Sequence, residues 1–232
     1  IPPEPIGVST KMRNDQDTMQ MTELAEKTIQ KPDVAKSPQG SGSVYLPGAF
    51  VIGLFVGLLL LWSMLDHTIP VWDSAAHLLR GYQCVDIIQA HMGFRHTVKD
   101  LIQVSAFYTP LTYYLHAALV CLLGPAAWVD VIPRLFWYAL TCVSLYLLAR
   151  QSFNDQLIAT YSVAVWCLYP VTYGVSRAFA LLDIPMTGMV FLSLWTCTLW
   201  NQQKTWRNAS LLGLALGLTF LTKQTAVLFL IT

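Results

Sequence analysis

From residue 48 onward, long uncharged runs alternate with short polar links. The first run, residues 48–65, has eighteen residues and no charge. That is close to the roughly 20 residues needed to cross about 30 Å of hydrocarbon. Further runs cover 110–129, 135–149, 157–176, 184–203 and 209 onward, the last interrupted only by Lys223. A soluble chain of 232 residues cannot bury this many uncharged stretches in one core. Spanning helices can carry them, because each satisfies its backbone groups internally. The pattern predicts an all-α fold, a polytopic transmembrane helix bundle.

The polar segments suggest how such a bundle is threaded. Residues 1–47 form a tail rich in Pro, Lys, Asp, Gln and Ser. It has too little apolar surface to offset the entropy of ordering and is expected to be disordered, apart from a short helix over 17–30. Residues 37–43 read as a flexible linker. The chain therefore divides into a tail, 1–47, and a membrane domain, 48–232. The links 150–156 and 201–208 carry Arg150, Lys204 and Arg207. The positive-inside rule puts them in the cytosol with the Lys-bearing tail, and the long segment 66–109 on the external or lumenal side. Asn208-Ala-Ser210 fits the N-glycosylation pattern, but this threading leaves it on the cytosolic side. The first run reads as an uncleaved signal-anchor, since no cleavable leader opens the chain. The start at Ile1 and the end inside an apolar run read as the N-terminal part of a longer protein.

Composition agrees with a membrane location. Hydrophobic residues make up 55% and charged residues 12%, against about 25% charged in ordinary soluble domains. Eight Trp, ten Tyr and ten Phe suit the bilayer interface. The net charge of +1 says nothing about partners, and no basic stripe suggests nucleic acid; membrane lipid is the partner expected of so apolar a chain. The five Cys show neither a CxxC pair nor zinc spacing and read as buried free thiols.

Four features carry possible chemistry. In a helix from Ser74, Asp73, His77 and Arg80 fall at i, i+4 and i+7, on one face. Together they can handle a proton, a metal or a phosphate; the alternative is a capping Asp73 beside two solvated side chains. Arg177 and Asp183 punctuate an apolar region, where ionisable groups usually face a cavity or a partner. The alternative is a loop in which Asp183 caps the next helix and Pro185 fills its first turn. Residues 107–115, with Tyr108 and Pro110, form an aromatic, Pro-containing entry to an apolar run, which alone is an interfacial belt. Lys223 stands near the end of a run, where a lysine often reaches to the headgroups.

Taken in order, these features resemble the GT-C superfamily of polyprenyl-phosphate-sugar-dependent glycosyltransferases, in the branch of protein O-mannosyltransferases and aminoarabinose-to-lipid A transferases. The resemblance rests on Trp72-Asp73, on Tyr108-Thr-Pro-Leu-Thr-Tyr-Tyr114, on Pro133-Arg-Leu135, on Ser176 to Pro185 and on Gly213 to Thr225. It covers roughly residues 48–232. Ser74 follows Asp73 where many relatives carry a second acidic residue, and Thr109 precedes Pro110 where relatives carry Pro or a charge. The resemblance implies that Asp73 and Asp183 face the same external side. The run 110–129 is then a juxtamembrane or re-entrant helix of the first external loop, and five spans remain: about 48–65, 132–150, 157–175, 184–202 and 208–228.

The resemblance also implies a reaction. One sugar passes, with inversion, from a polyprenyl-phosphate donor to the hydroxyl of an unknown acceptor. Asp73 is the expected base and Asp183 a second carboxylate. Arg80, Arg177 and Lys223 are expected phosphate contacts, with His77, Tyr108 and Pro110 beside them. A divalent ion held by Asp73 and His77 is one option for a cofactor. The competing readings are a transporter, or a membrane protein that binds a lipid-linked sugar without transfer. The 44-residue polar segment 66–109, with its Asp/His/Arg face, speaks for the enzyme.

Overall fold

The computed structural model describes residues 45–66, 73–90, 93–104, 110–177 and 182–228, without the side chains of 173, 175–177 and 227. The chain divides into Ile1–Gly42 and Ser43–Thr232. The first unit, and with it the expected tail helix over 17–30, lies outside the described residues. The second is helical, with no strand among the described residues. Its helices are α1 (Leu46–Leu65), α2 (Asp73–Gln89), α3 (Phe94–Gln103), α4 (Leu111–Leu123), α5 (Ala127–Phe153), α6 (Gln156–Leu168), α7 (Pro170–Arg177), α8 (Asp183–Gln202) and α9 (Trp206–Phe220), followed by a 3-10 turn at Gln224–Val227.

Among the described residues two helices, α1 and α5, are long and apolar enough to cross a membrane. Pro47 sits in the first turn of α1, where its missing N–H costs nothing. The helix ends at Asp66, whose carboxylate accepts from Trp62 Nε1 at 2.9 Å. Most of its side chains, among them Phe50, Leu54, Leu61 and Met64, are exposed. A helix apolar all round needs lipid or protein around it. Helix α5 ends at Asn154, in the left-handed conformation that closes helices. Asp155 then caps α6 by accepting from the N–H of Leu157 at 2.6 Å and of Ile158 at 3.1 Å.

Three apolar runs are interrupted, two of them, 157–175 and 208–228, where a single span was expected. Residues 157–175 divide into α6 and α7 at Tyr169, which is extended because it precedes Pro170. Residues 208–228 stop being α-helical after Phe220, and Lys223 has extended backbone. In 110–129, α4 has 13 residues and closes at Gly124, with φ of 85°. Thirteen residues rise about 20 Å, short of a hydrocarbon layer of about 30 Å. Of the five cysteines, Cys84, Cys142 and Cys167 are buried as expected. Cys121 and Cys197 are exposed, because α4 and α8 turn those positions away from their neighbours.

The helix ends reveal how the bundle is threaded. Arg134 at the start of α5 donates to Ser63 Oγ near the end of α1. Asp183 at the start of α8 meets Lys223 beyond the end of α9. At the opposite end, Gln151 of α5 bonds Gln202 of α8, and Arg150 lies over the Tyr45 ring. Helices α5 and α8 therefore run parallel, with α1 and α9 antiparallel to them. Helices α2 and α4 pack together and join α5 near its start. Leu111 N–H donates to Leu221 C=O at 2.9 Å, tying α4 to the end of α9.

The most extensive helix contact, α5 on α8, depends on a glycine. A Cβ at Gly188 would lie 2.4 Å from Thr141 Oγ1 and 3.2 Å from Thr141 Cα. Thr141 Oγ1 also donates towards Ile184 C=O at 3.1 Å. Gly188→Ala is predicted to destabilise the protein by about 1–3 kcal/mol, the usual cost of overpacking. A thermal melt in detergent tests it; an unchanged or raised midpoint refutes the close packing.

Candidate active site

The end of the bundle that holds Asp183 and Lys223 also carries α2. Asp73 is the first helical residue of α2 and is exposed, while His77, one turn on, is buried. His77 Nδ1 shares a 2.6 Å hydrogen bond with the Tyr113 hydroxyl of α4, and the two rings stack. Burial holds the His77 imidazole below its ordinary pKa of 6.5. The nearby charges of Asp73, Arg80, Lys223 and Asp183 act on it in both directions. One imidazole thus senses charges from α2, from the start of α8 and from the turn after α9.

Asp183 and Lys223 are the firmest pair in this neighbourhood. Lys223 Nζ donates to Asp183 Oδ1 at 2.7 Å. Both are partly open to solvent, with side-chain exposures of 24% for Lys223 and 50% for Asp183. The cap of α8 is Leu182, and no side-chain cap bond forms there. Asp183 therefore serves a lysine and not a helix end, and Lys223 is held by a carboxylate and not drawn to headgroups. Pro185 does occupy the first turn of α8.

The other expected residues are described in part. Arg80 is half-buried one turn beyond His77. Pro110 caps α4 beside the end of α9. Arg177 closes α7, with its side chain outside the described residues, and Tyr108 lies outside them altogether.

Two polar clusters escaped sequence reasoning. In the first, His116 of α4 donates from Nε2 to Asp130 Oδ1 of α5 at 2.7 Å. Tyr82 of α2 donates to both Asp130 oxygens, at 3.0 and 3.2 Å. Burial, with this bonded carboxylate, pushes the Tyr82 hydroxyl up to about 12. The bare Gly81 lets the His116 ring approach, since a Cβ there would be 2.3 Å from Nδ1. In the second, Asp66 lies close enough to the buried Arg134 for its charge to act on it. The available signal was an ionisable residue beside or within an apolar run: His116, Asp130 and Arg134.

Residues 108–232 match the family model for dolichyl-phosphate-mannose-protein mannosyltransferases. The chain belongs to this family. It is thereby a membrane glycosyltransferase of the GT-C type. Comparison with curated proteins and with solved structures found no match. The match begins just before α4 and includes Arg134, Arg177, Asp183 and Lys223; Asp73, His77 and Arg80 precede it.

As a metal centre the mannosyltransferase-family site is poorly furnished. No group of three His, Cys, Asp or Glu gathers among the described residues. His77 spends Nδ1 on Tyr113. Asp73 and His77 are not a ligand set by themselves.

The lowered His77 pKa makes stability depend on pH. Unfolding restores the ordinary value of 6.5, so the unfolded chain binds more protons below that pH. The stabilisation is full above pH 6.5 and is lost as pH falls through the lowered folded value. Melting temperature in detergent is predicted to fall on acidification below 6.5, and His77→Gln should flatten that slope. An identical slope in the variant would show that another group causes it.

Proposed function

We propose that the chain belongs to a transferase that moves one sugar, with inversion, from a polyprenyl-phosphate to an acceptor hydroxyl on the external or lumenal side. The observation that carries this reading is the Asp183–Lys223 ion pair, 2.7 Å long, in the same charge neighbourhood as Asp73, His77 and Arg80. Such a transfer needs a base at the acceptor and positive charge at the leaving phosphate. Both kinds of group occur at this one end of the bundle.

In the proposed reaction the acceptor oxygen attacks the anomeric carbon as its proton passes to the Asp73 carboxylate. The bond from that carbon to the phosphate oxygen breaks, and its electron pair leaves with the polyprenyl phosphate. Lys223 meets the growing phosphate charge. An ammonium has three donors, so Lys223 can keep its bond to Asp183 and still give one to phosphate. Asp183 thus orients the lysine. Arg80 and Arg177 are the further candidate phosphate contacts, and a neutral His77 held by Tyr113 fixes the face of α2 that also carries Asp73. Tyr108 and Pro110 are further candidate donor contacts.

The proposed topology has five spans. Helices α1 and α5 each cross once, α6 with α7 crosses together, and α8 and α9 complete the set. Helices α2, α3 and α4 form juxtamembrane structure in the first external loop. The N-terminal tail, Arg150, Lys204 and Arg207 are cytosolic. The domain boundary is read near residue 47, ahead of the apolar body of α1.

Two measurements test these readings. Asp73→Asn keeps size and capping ability but removes the base. Transfer by the full-length protein is predicted to fall about 10²-fold or more, with donor binding retained. Near-normal turnover would remove Asp73 from the chemistry. For topology, thiols introduced at Gly124 and Ala127 are predicted to react from the external side. Labelling from the cytosol would make 110–129 a true crossing and overturn the arrangement.

A further inference from the structure

The end of the bundle away from Asp183 and Lys223 holds two donors that the proposed reaction does not use. Tyr146 and Arg150 lie one turn apart on one face of α5. Tyr146 is 5% exposed, yet its hydroxyl has no hydrogen-bond partner among the described residues. Arg150 Nη1 is likewise buried and unpartnered there. A buried donor left without an acceptor is costly, the more so on a cation. Both side chains reach the start of α1. The Tyr146 ring lies against Gly48 so closely that a Cβ there would collide with Cε2 and with Cζ, the carbon that bears the hydroxyl. The Arg150 guanidinium lies over the Tyr45 ring, 4.8 Å from its centre. Tyr45 is the N-cap of α1, and no side chain caps that helix, so the positive end of its dipole faces the same point.

A phenol, a guanidinium and a helix N-terminus that meet in this way fit an oxyanion. Asp155, the next acidic residue along the chain, is spent on capping α6. Arg150 also suits the negative end of α5, but that interaction gives the Tyr146 hydroxyl no acceptor. A phosphodiester offers two charged oxygens, one for the guanidinium and one for the phenol. The neighbouring surface indicates what carries it. Leu46, Phe50 and Leu54, four apart, are exposed along α1 from this point onward, and make a track for an acyl chain. A free phosphate would leave that track bare. As a spanning helix, α1 puts its first turn at headgroup depth; the inference rests on that part of the proposed topology.

We propose that Tyr146, Arg150 and the first turn of α1 bind the phosphodiester of a membrane phospholipid, with an acyl chain along Leu46, Phe50 and Leu54. The bound lipid joins α1 to α5 at the end remote from Asp183 and Lys223.

The test is native mass spectrometry of the full-length protein in detergent, titrated with dioleoylphosphatidylglycerol. The expected result is a saturable lipid adduct, weakened about fivefold by Arg150→Gln and about fivefold by Tyr146→Phe. Absence of that adduct from the parent protein would overturn the proposal. Lys204, an exposed cation in the link after α8, serves as the control. Lys204→Gln should leave binding unchanged; an equal loss would mean that diffuse charge attracts the lipid, and the site would fall. Equal binding of dioleoylglycerol, which lacks the phosphate, would overturn the phosphodiester assignment. Displacement by an excess of inorganic phosphate would mark a site for the free anion and overturn the lipid assignment. Melts in detergent add a second readout. The lipid should raise the midpoint of the parent and of Lys204→Gln, but not of Arg150→Gln or Tyr146→Phe; an equal rise in all four would also refute the site. Tyr146→Phe removes one oxygen and leaves the ring against Gly48, so it decides the matter where Arg150→Gln fails to fold. Sugar transfer and thiol labelling play no part in these readouts, so the result stands apart from the proposed reaction and threading.

Discussion

Everything at the end of the bundle that holds Asp183 and Lys223 depends on how closely α8 approaches α5. In a bilayer, apolar side chains gain nothing by leaving lipid for one another, so helices associate through close packing and hydroxyl bonds. Here Gly188 lets Thr141 into contact with α8, and Thr141 bonds the carbonyl of Ile184. One layer further, Ser193 and Thr219 share a bond of 2.8 Å, and Thr219 donates to Met189 C=O. These small polar contacts clamp α5 to α8 and α8 to α9. They determine where α8 begins and where α9 ends, and thus that Asp183 meets Lys223.

A second layer, α2 with α4, rests on this frame. Its joints are polar too, and for an electrostatic reason. A buried imidazole without a partner is expensive, and each of the two buried histidines is engaged, His77 by Tyr113 and His116 by Asp130. The His116–Asp130–Tyr82 cluster links α4, α5 and α2 at one point. It gives α2 a rigid base, so that Asp73 projects from a helix fixed on two sides. Arg134, buried beside Ser63 and under the charge of Asp66, closes the corresponding corner between α1 and α5.

Local pattern made much of this legible. A run such as 48–65 has no charge and no proline, so its helicity and length follow from composition alone. The i, i+4 spacing puts Asp73 and His77 on one face of a helix, whatever that helix packs against. The interruption at Gly124-Pro125 was legible as a break in the run 110–129. Others were harder to read: Tyr169-Pro170 is a local signal, but an apolar run read by hydropathy passes over it. The end of α9 at Phe220 has no such marker. The partner of Lys223 was equally invisible, because forty residues separate it from Asp183, and nothing in either segment encodes the meeting.

The sequence by itself determined the helical class, the membrane setting, the order of apolar runs and the residue types available for chemistry. All of these depend on near neighbours along the chain: hydropathy over one window, or spacing over one or two turns. The tertiary structure decided which ionisable groups share a site and which serve as joints. It paired Asp183 with Lys223, gave His77 to Tyr113, and placed His116 and Asp130 in a clasp that neither residue's surroundings predict. Electrostatics in a low-dielectric interior acts over distances in space, and those distances are set only when helices from distant parts of the chain pack together.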